Sequence, residues 1–329
     1  YKLSNKNYEL NSIILAVSPF VFISFYIFIF LIDVKGVGGY TEGYSAIYIY
    51  LSRLMRPAAV IVFFIFLISK KKYALFLFIL YLIVSLNLIV IAGRRSEVFI
   101  LAVTILFPLF FVKKFIPSKK ISIIIGSLML IAFLIMPSIR VHTKKGQFNK
   151  IQNISFTSVI QDYYFGQKTN EIVEAAINMK IIQENNGYSY GARWINNFTN
   201  QFVSSTLFGR DIKKSTEIKT FDLQLSRNSN YKNSDYKDYL PPTGFGDVFY
   251  DFSWFGCIVF FIWGRISKKL WTQAYYSQDI FNKMFYSYFV TMIFLSVYDS
   301  VSFVPTNIIL GLVTFSIVKK LTKITMLLC

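Results

Sequence analysis

The chain has 329 residues, of which 54% are hydrophobic, 19% aromatic and 16% charged; a soluble domain carries about 45–50% apolar and about 25% charged residues. Its 35 Lys and Arg against 17 Asp and Glu leave a formal net charge of +18. This composition excludes a pair of ordinary soluble domains, and two cysteines with one histidine exclude a disulfide framework or a Cys/His metal site.

The apolar residues come in runs of roughly 17–24, long enough to cross ~30 Å of hydrocarbon as helices. The fold class this predicts is all-α, a polytopic membrane protein with the lipid bilayer as its solvent. The basic charge does not imply a nucleic-acid partner. Many lysines cluster between apolar runs, at Lys70–Lys72, Lys113–Lys114, Lys119–Lys120, Lys268–Lys269 and Lys319–Lys320, as cytoplasmic loops do.

Eight spans are predicted, at 10–33, 46–69, 73–92, 97–112, 121–138, 244–264, 282–297 and 303–318. They divide the chain into spans one to five (1–138), one large extracytoplasmic loop (139–243), and spans six to eight with a cytoplasmic C-terminus (244–329). Alternation allows two orientations, and the basic residues choose between them. With the N-terminus inside, the inner segments carry 16 Lys and Arg and the short outer segments 5. The 139–243 segment is too long for that rule to apply. The expectation is therefore N-in and C-in, with the long loop outside. The chain begins on Tyr1, which predicts further spans ahead of it, and it shows no cleavable signal peptide. Within the loop, Ile172–Ile182 (IVEAAINMKII) has the period of an amphipathic helix, while Ser226–Asp238 reads as irregular.

The nine arginines are distributed differently from the lysines, and only Arg265 falls in an inner segment. Arg53, Arg56, Arg94 and Arg95 sit at outer ends of spans, Arg140 just past one, and Arg193, Arg210 and Arg227 in the long loop. A generic positive charge suffices inside, whereas a phosphate or carboxylate needs the fork-shaped donation of a guanidinium. From Pro57 to Ser69 there are 13 residues before Lys70, only about 20 Å of helix, so Arg53 and Arg56 lie at or below the outer interface. Three apart, they are expected to share a helix face, with Pro57 kinking that helix. Charge at membrane depth is costly and points to function. The other explanation is snorkelling, or pairing with Glu97, Asp247 or Asp251.

Asp247 and Asp251 are four apart at the start of the sixth span, on one face. They read as a general base or a clamp for sugar hydroxyls, or else as counter-ions for the arginines. His142 reads as a solvated interfacial histidine rather than a base. Tyr188, Tyr190 and Trp194 offer rings that would stack on sugars. No G-x-x-x-x-G-K-[ST] motif or D-x-D pair is present, so neither cytoplasmic ATP nor a metal-held nucleotide sugar is expected as donor. No cofactor is expected.

At these residues the chain resembles the bacterial oligosaccharide repeat-unit polymerases, the Wzy or O-antigen polymerase family. Gly93-Arg94-Arg95-Ser96 resembles that family's Gly-x-Arg turn, and Gly187-Tyr188-Ser189-Tyr190-Gly191 resembles its late-loop Tyr-Gly element. Pro241–Gly256 resembles the family's Pro-rich approach to the next span, with Asp247 where Glu is common and Ser253 where Gly is common. The proline-containing stretch that usually follows the Tyr-Gly element is missing.

The resemblance implies a GT-C-like, metal-independent, inverting glycosyltransferase of the bacterial inner membrane. It would move a growing glycan from undecaprenyl pyrophosphate to the non-reducing end of a new undecaprenyl-pyrophosphate-linked oligosaccharide. A Wzz-type chain-length regulator and a flippase would be further partners. By position, Arg94 and Arg140 would grip the donor diphosphate with Arg193 assisting. Arg53, Arg56 and Arg95 join them as substrate-binding candidates on depth and side, Asp247 as a catalytic candidate, and Tyr190 and Asp251 as contacts for the sugar. Two other readings stand beside this one. An O-antigen ligase would rely on a loop histidine, which only His142 supplies. A lipid-glycan flippase or anion transporter would carry midplane charge and broken, repeated helices, neither of which is expected here.

Overall fold

The computed structural model describes residues 10–32, 44–90, 94–127, 171–202, 209–221, 244–298 and 304–328, with residues 131, 135 and 157. Regular structure among these residues is helical throughout. Helix α1 (Leu10–Tyr26) runs into a π-helical turn, Ile27–Leu31. It is followed by α2 (Tyr44–Ser52), α3 (Met55–Ser69), α4 (Lys72–Val90) and α5 (Arg95–Lys113). Then come α6 (Glu171–Glu184), α7 (Ala192–Phe202), α8 (Arg210–Thr216) and α9 (Gly244–Phe252). A 3-10 turn, Ser253–Gly256, leads into α10 (Cys257–Tyr276), α11 (Ile280–Tyr298) and α12 (Val304–Leu328).

Seven helices among the described residues are long and apolar enough to cross a membrane. They correspond to seven of the eight predicted spans; of the other, 121–138, half the residues lie outside the described ones. The protein is an all-helical, multi-pass membrane protein. The chain falls into two compact units, one of Tyr1–Lys145, Arg265–Met292 and Asn307–Cys329, the other of Gly146–Gly264 and Ile293–Thr306.

In the first unit α3 packs against α1, α4 and α5. Every residue from Met55 to Ile65 except Arg56 is buried. Small side chains at Ala58 and Ala59 allow neighbouring helices to approach closely, as in membrane bundles. Phe63 stacks on Phe78 of α4 at 4.4 Å between ring centroids. Leu15, Phe22, Phe76, Ile79, Ile83 and Leu86 stay exposed at helical spacing on α1 and α4, a surface made for lipid tails.

Between α2 and α3 the helix breaks at Arg53–Leu54, and the cause is Pro57. Proline has no N–H to give the Arg53 carbonyl and its ring would strike that carbonyl. The Arg56 N–H takes the Arg53 carbonyl instead, at 3.2 Å, and the Leu54 N–H reaches back to the Leu51 carbonyl at 3.1 Å. Ser24 of α1 donates to the same Leu51 carbonyl at 2.9 Å. Arg53 and Arg56 therefore lie on either side of a break, as the expected Pro57 kink implies, and both remain within electrostatic range of Tyr288.

The sixth span also differs from expectation. It is broken at Ser253, whose φ is 55°, and it continues to Tyr276, well past residue 264. Arg265, Lys268 and Lys269 thus lie on a helix and not in a loop. That extension is held in the first unit by Trp271, whose ring lies 5.7 Å from Phe110 and 5.3 Å from Tyr286. The expectation that no span is broken fails here and at Arg53.

At the Ser253 break the chain folds back so closely that a Cβ on Gly256 would meet a Val248 methyl at 2.4 Å. Ser253 holds the left-handed conformation that glycine adopts without penalty, and the resemblance noted above puts a common Gly at this position. Ser253→Gly is expected to stabilise the protein by about 1 kcal/mol, read as a raised melting temperature in detergent. Gly244 is needed for a different reason. A Cβ there would fall 1.8 Å from the Ser296 carbonyl oxygen of α11. Gly244→Ala must push backbone against backbone, and a loss of about 1–3 kcal/mol or more is expected in the same assay.

Candidate functional site: two buried polar centres

Each unit buries one polar centre, and the sequence-predicted site residues divide between them. The first is built on the pair Arg56 and Glu97, with Arg53 and Tyr288 nearby. Glu97 occupies the first turn of α5, where the helix dipole favours a carboxylate, and is 1% exposed. Its Oε1 accepts from Nη2 of Arg56, an ion pair between α3 and α5. Tyr81 of α4, also buried, lies within electrostatic range of both members, with Ser85 and Thr104 beside its hydroxyl. Tyr288 of α11 lies within electrostatic range of Arg56 and Arg53. Its hydroxyl donates to the Asn307 carbonyl at 2.5 Å. Gly311 leaves room for that ring, since a Cβ there would meet it at 2.1 Å. The Arg53 guanidinium lies 5.9 Å from the centroid of the Tyr50 ring.

Arg94 is the residue just before α5, in extended conformation, and its carbonyl accepts the Glu97 N–H at 3.2 Å. Its own N–H donates to the Leu88 carbonyl at 3.1 Å, closing the turn after α4. Arg95 is the first residue of α5. Four arginines thus belong to the ends of α2, α3 and α5 opposite Lys70 and Lys113–Lys114, where Glu97 pairs with Arg56.

The second centre is built on one face of α9. Asp247 and Asp251 are both 0% exposed, as their spacing on one face anticipates. Asp247 Oδ1 lies 2.8 Å from Nη1 of Arg193, in the first turn of α7. The Tyr250 ring, between the two carboxylates in sequence, lies under the same guanidinium at 4.5 Å. Asp251 accepts from the Ser189 hydroxyl, and the Arg193 backbone amide faces its carboxylate. Residues one turn apart on α9 therefore hold the side chain of Arg193 and anchor the start of the helix that carries it.

Local chain chemistry explains how the loop arrives there. Helix α6 realises the predicted amphipathic segment, with Ala175, Asn178, Ile181 and Ile182 buried. It ends with Asn186 left-handed (φ 49°), with Asn186 N–H to Gln183 O at 3.3 Å and Gly187 N–H to Ile182 O at 2.8 Å, a Schellman arrangement. Ser189 N–H then donates to the Tyr250 carbonyl at 3.0 Å, tying the Tyr-Gly element to α9. Ile181 and Ile182 join Phe249 and Tyr250 in one core. Tyr190, with φ 50°, is left 76% exposed beside this centre. Trp194 instead packs edge-on against Phe252 at 5.5 Å.

Arg140, His142, Arg227 and the Ser226–Asp238 tract lie outside the described residues. Glu97 as a partner of Arg56 was open to sequence reading, whereas Tyr81 and Tyr288 were not. Their hydroxyls sit in strongly apolar runs, and nothing in those runs announces which span they face.

Compared with known families, the chain matches the one described as O-antigen polysaccharide polymerase Wzy over residues 1–326. No curated protein and no solved structure matches it.

Proposed function

The chain belongs to the O-antigen polysaccharide polymerase Wzy family, and on that premise we propose that it transfers a growing glycan from undecaprenyl diphosphate to a new lipid-linked repeat unit. Polymerisation of O-antigen repeat units is the family's reaction. The finer reading is a single inverting displacement without a metal. The acceptor's hydroxyl oxygen attacks the anomeric carbon at the donor's reducing end, the bond to the diphosphate oxygen breaks, and the acceptor proton passes to a carboxylate. Undecaprenyl diphosphate leaves with the electron pair of the broken bond and so carries one negative charge more than it did in the donor.

The observation that carries this reading is the cationic first centre. A diphosphate leaving group develops charge as its bond to the sugar breaks, and fixed guanidinium groups in a low-dielectric site stabilise that charge. Arg53 and Arg56 lie within electrostatic range of Tyr288, and Arg94 and Arg95 open the helix that carries Glu97. The second centre has a different balance, with one arginine between two carboxylates. That suits sugar hydroxyls better than a diphosphate, with Asp247 and Asp251 as acceptors of hydroxyl protons and Tyr190 as a ring for a sugar face. The excess of inner lysines supports an orientation in which the arginine ends face the extracytoplasmic side of the inner membrane.

Complementation of a polymerase-deficient strain tests the assignment. Arg94→Ala and Arg140→Ala are expected to insert normally and to leave single repeat units in place of a ladder on a glycan gel. Ladders of wild-type length from both variants would remove these residues from the site.

A further inference from the structure

We propose that Glu97 is the positioning residue of the cationic centre, a fixed counter-ion that aims Arg56 at the diphosphate. The proposal rests on the reading of Arg56 as a diphosphate ligand.

A carboxylate beside a diphosphate site is unfavourable by charge alone, since it repels the anion the arginines attract. Glu97 is nevertheless 1% exposed and paired with Arg56. Simple neutralisation is a weak explanation, because these helix ends carry four arginines and one ion pair changes their balance little. Stability is a weak explanation too. Buried ion pairs are often replaced by apolar groups without loss, and α3 is otherwise apolar and closely packed around Arg56.

Geometry explains the carboxylate better. Glu97 ties α5 to α3 through Arg56 and lies within electrostatic range of Tyr81 on α4, so the guanidinium is held by a partner on a neighbouring helix. The break at Arg53–Leu54 leaves Arg56 in the first turn of α3. Without an anchor, its long side chain would sample many rotamers. Glu97 supplies that anchor, and the same guanidinium plane then presents its donors in a set direction.

The experiment uses the full chain, purified into vesicles, with a lipid-diphosphate-linked repeat unit as substrate and polymer formation followed over time. Glu97→Gln keeps the shape and removes the charge. Its kcat is expected to fall by about 100-fold, the effect of misplacing a reacting group by ~1 Å, with a smaller change in KM. The swapped double variant, Arg56→Glu with Glu97→Arg, rebuilds the ion pair in reverse. It is expected to melt like the wild type and to remain inactive, because the guanidinium then starts from the wrong helix.

Wild-type kcat in Glu97→Gln, or activity restored in the swapped variant, would overturn the proposal and reduce the pair to a brace between helices. Should Glu97→Gln fail to accumulate, the swapped variant decides alone. Arg56→Lys separates the two levels of the argument. Full activity in that variant would refute Arg56 as a ligand, whereas loss of activity in it with a fully active Glu97→Gln would refute only the positioning role.

Discussion

Replacing Arg56 with lysine is expected to leave the protein folded and inserted while lowering its polymerisation rate by about 100- to 1,000-fold, the range found when one fixed donor to a developing charge is removed. The reasoning begins with Glu97. Truncation to alanine would strand a carboxylate that is 1% exposed, at a cost of about 3–5 kcal/mol, and a loss of activity would then have two explanations. Lysine keeps the positive charge beside Glu97 and removes the planar fork, so it isolates the bidentate donation that a diphosphate needs. Yield and melting temperature in detergent, measured beside the rate, separate the two effects. A lysine variant as active as the wild type would refute Arg56 as a ligand of the diphosphate.

The second large effect concerns stability. Arg193→Ala is expected to destabilise the protein by about 3–5 kcal/mol, because it takes the guanidinium away from the buried carboxylate of Asp247. Asp247 is 0% exposed, and so is Asp251 one turn further along the helix, so two carboxylates would then lie in a low-dielectric region without their arginine. The double variant Arg193→Ala with Asp247→Ala removes the uncompensated charge and is expected to recover much of that loss. Thermal melts of both variants in the same detergent test this. A double variant less stable than Arg193→Ala would show that the cation over the Tyr250 ring matters more than the ion pair.

These two centres show what a sequence makes legible in a membrane protein. Seven spans were visible because runs such as Ile61–Ile68 have no other solvent than lipid, and clustered lysines marked one set of their ends. The pairing of Asp247 with Arg193 was among the possibilities, since a buried carboxylate needs a cation and few were available. The nearness of Tyr288 to these arginines was not visible. It depends on a kink four residues ahead of Pro57, a glycine at 311 that admits the ring, and the packing of α11 near α3's first turn, none of which a hydrophobic period encodes. Apolar patterning says which residues avoid water. In an all-apolar bundle it says little about which helices are neighbours, because lipid-facing and helix-facing residues are of the same kinds.

The Ser253 break illustrates the same limit. Resemblance supplied the hint, since Gly is common at that position, but the local sequence Phe252-Ser253-Trp254-Phe255 gives no reason to expect a left-handed residue. The structure supplies it in the backfold of Gly256 onto Val248. That break and the kink at Arg53 interrupt two spans, a feature otherwise associated with transporters. In this chain each break sits beside a polar centre: one separates Arg53 from Arg56, the other comes two residues after Asp251.

Binding of a lipid diphosphate to the purified chain, compared with the same lipid carrying a monophosphate, bears most directly on the arginine-built site. Wild-type protein is expected to bind the diphosphate more tightly, and Arg53→Lys with Arg56→Lys is expected to erase most of that preference while the fold persists. Equal affinity for the two lipids, or a preference unchanged in the double variant, would contradict a diphosphate held by these guanidinium groups.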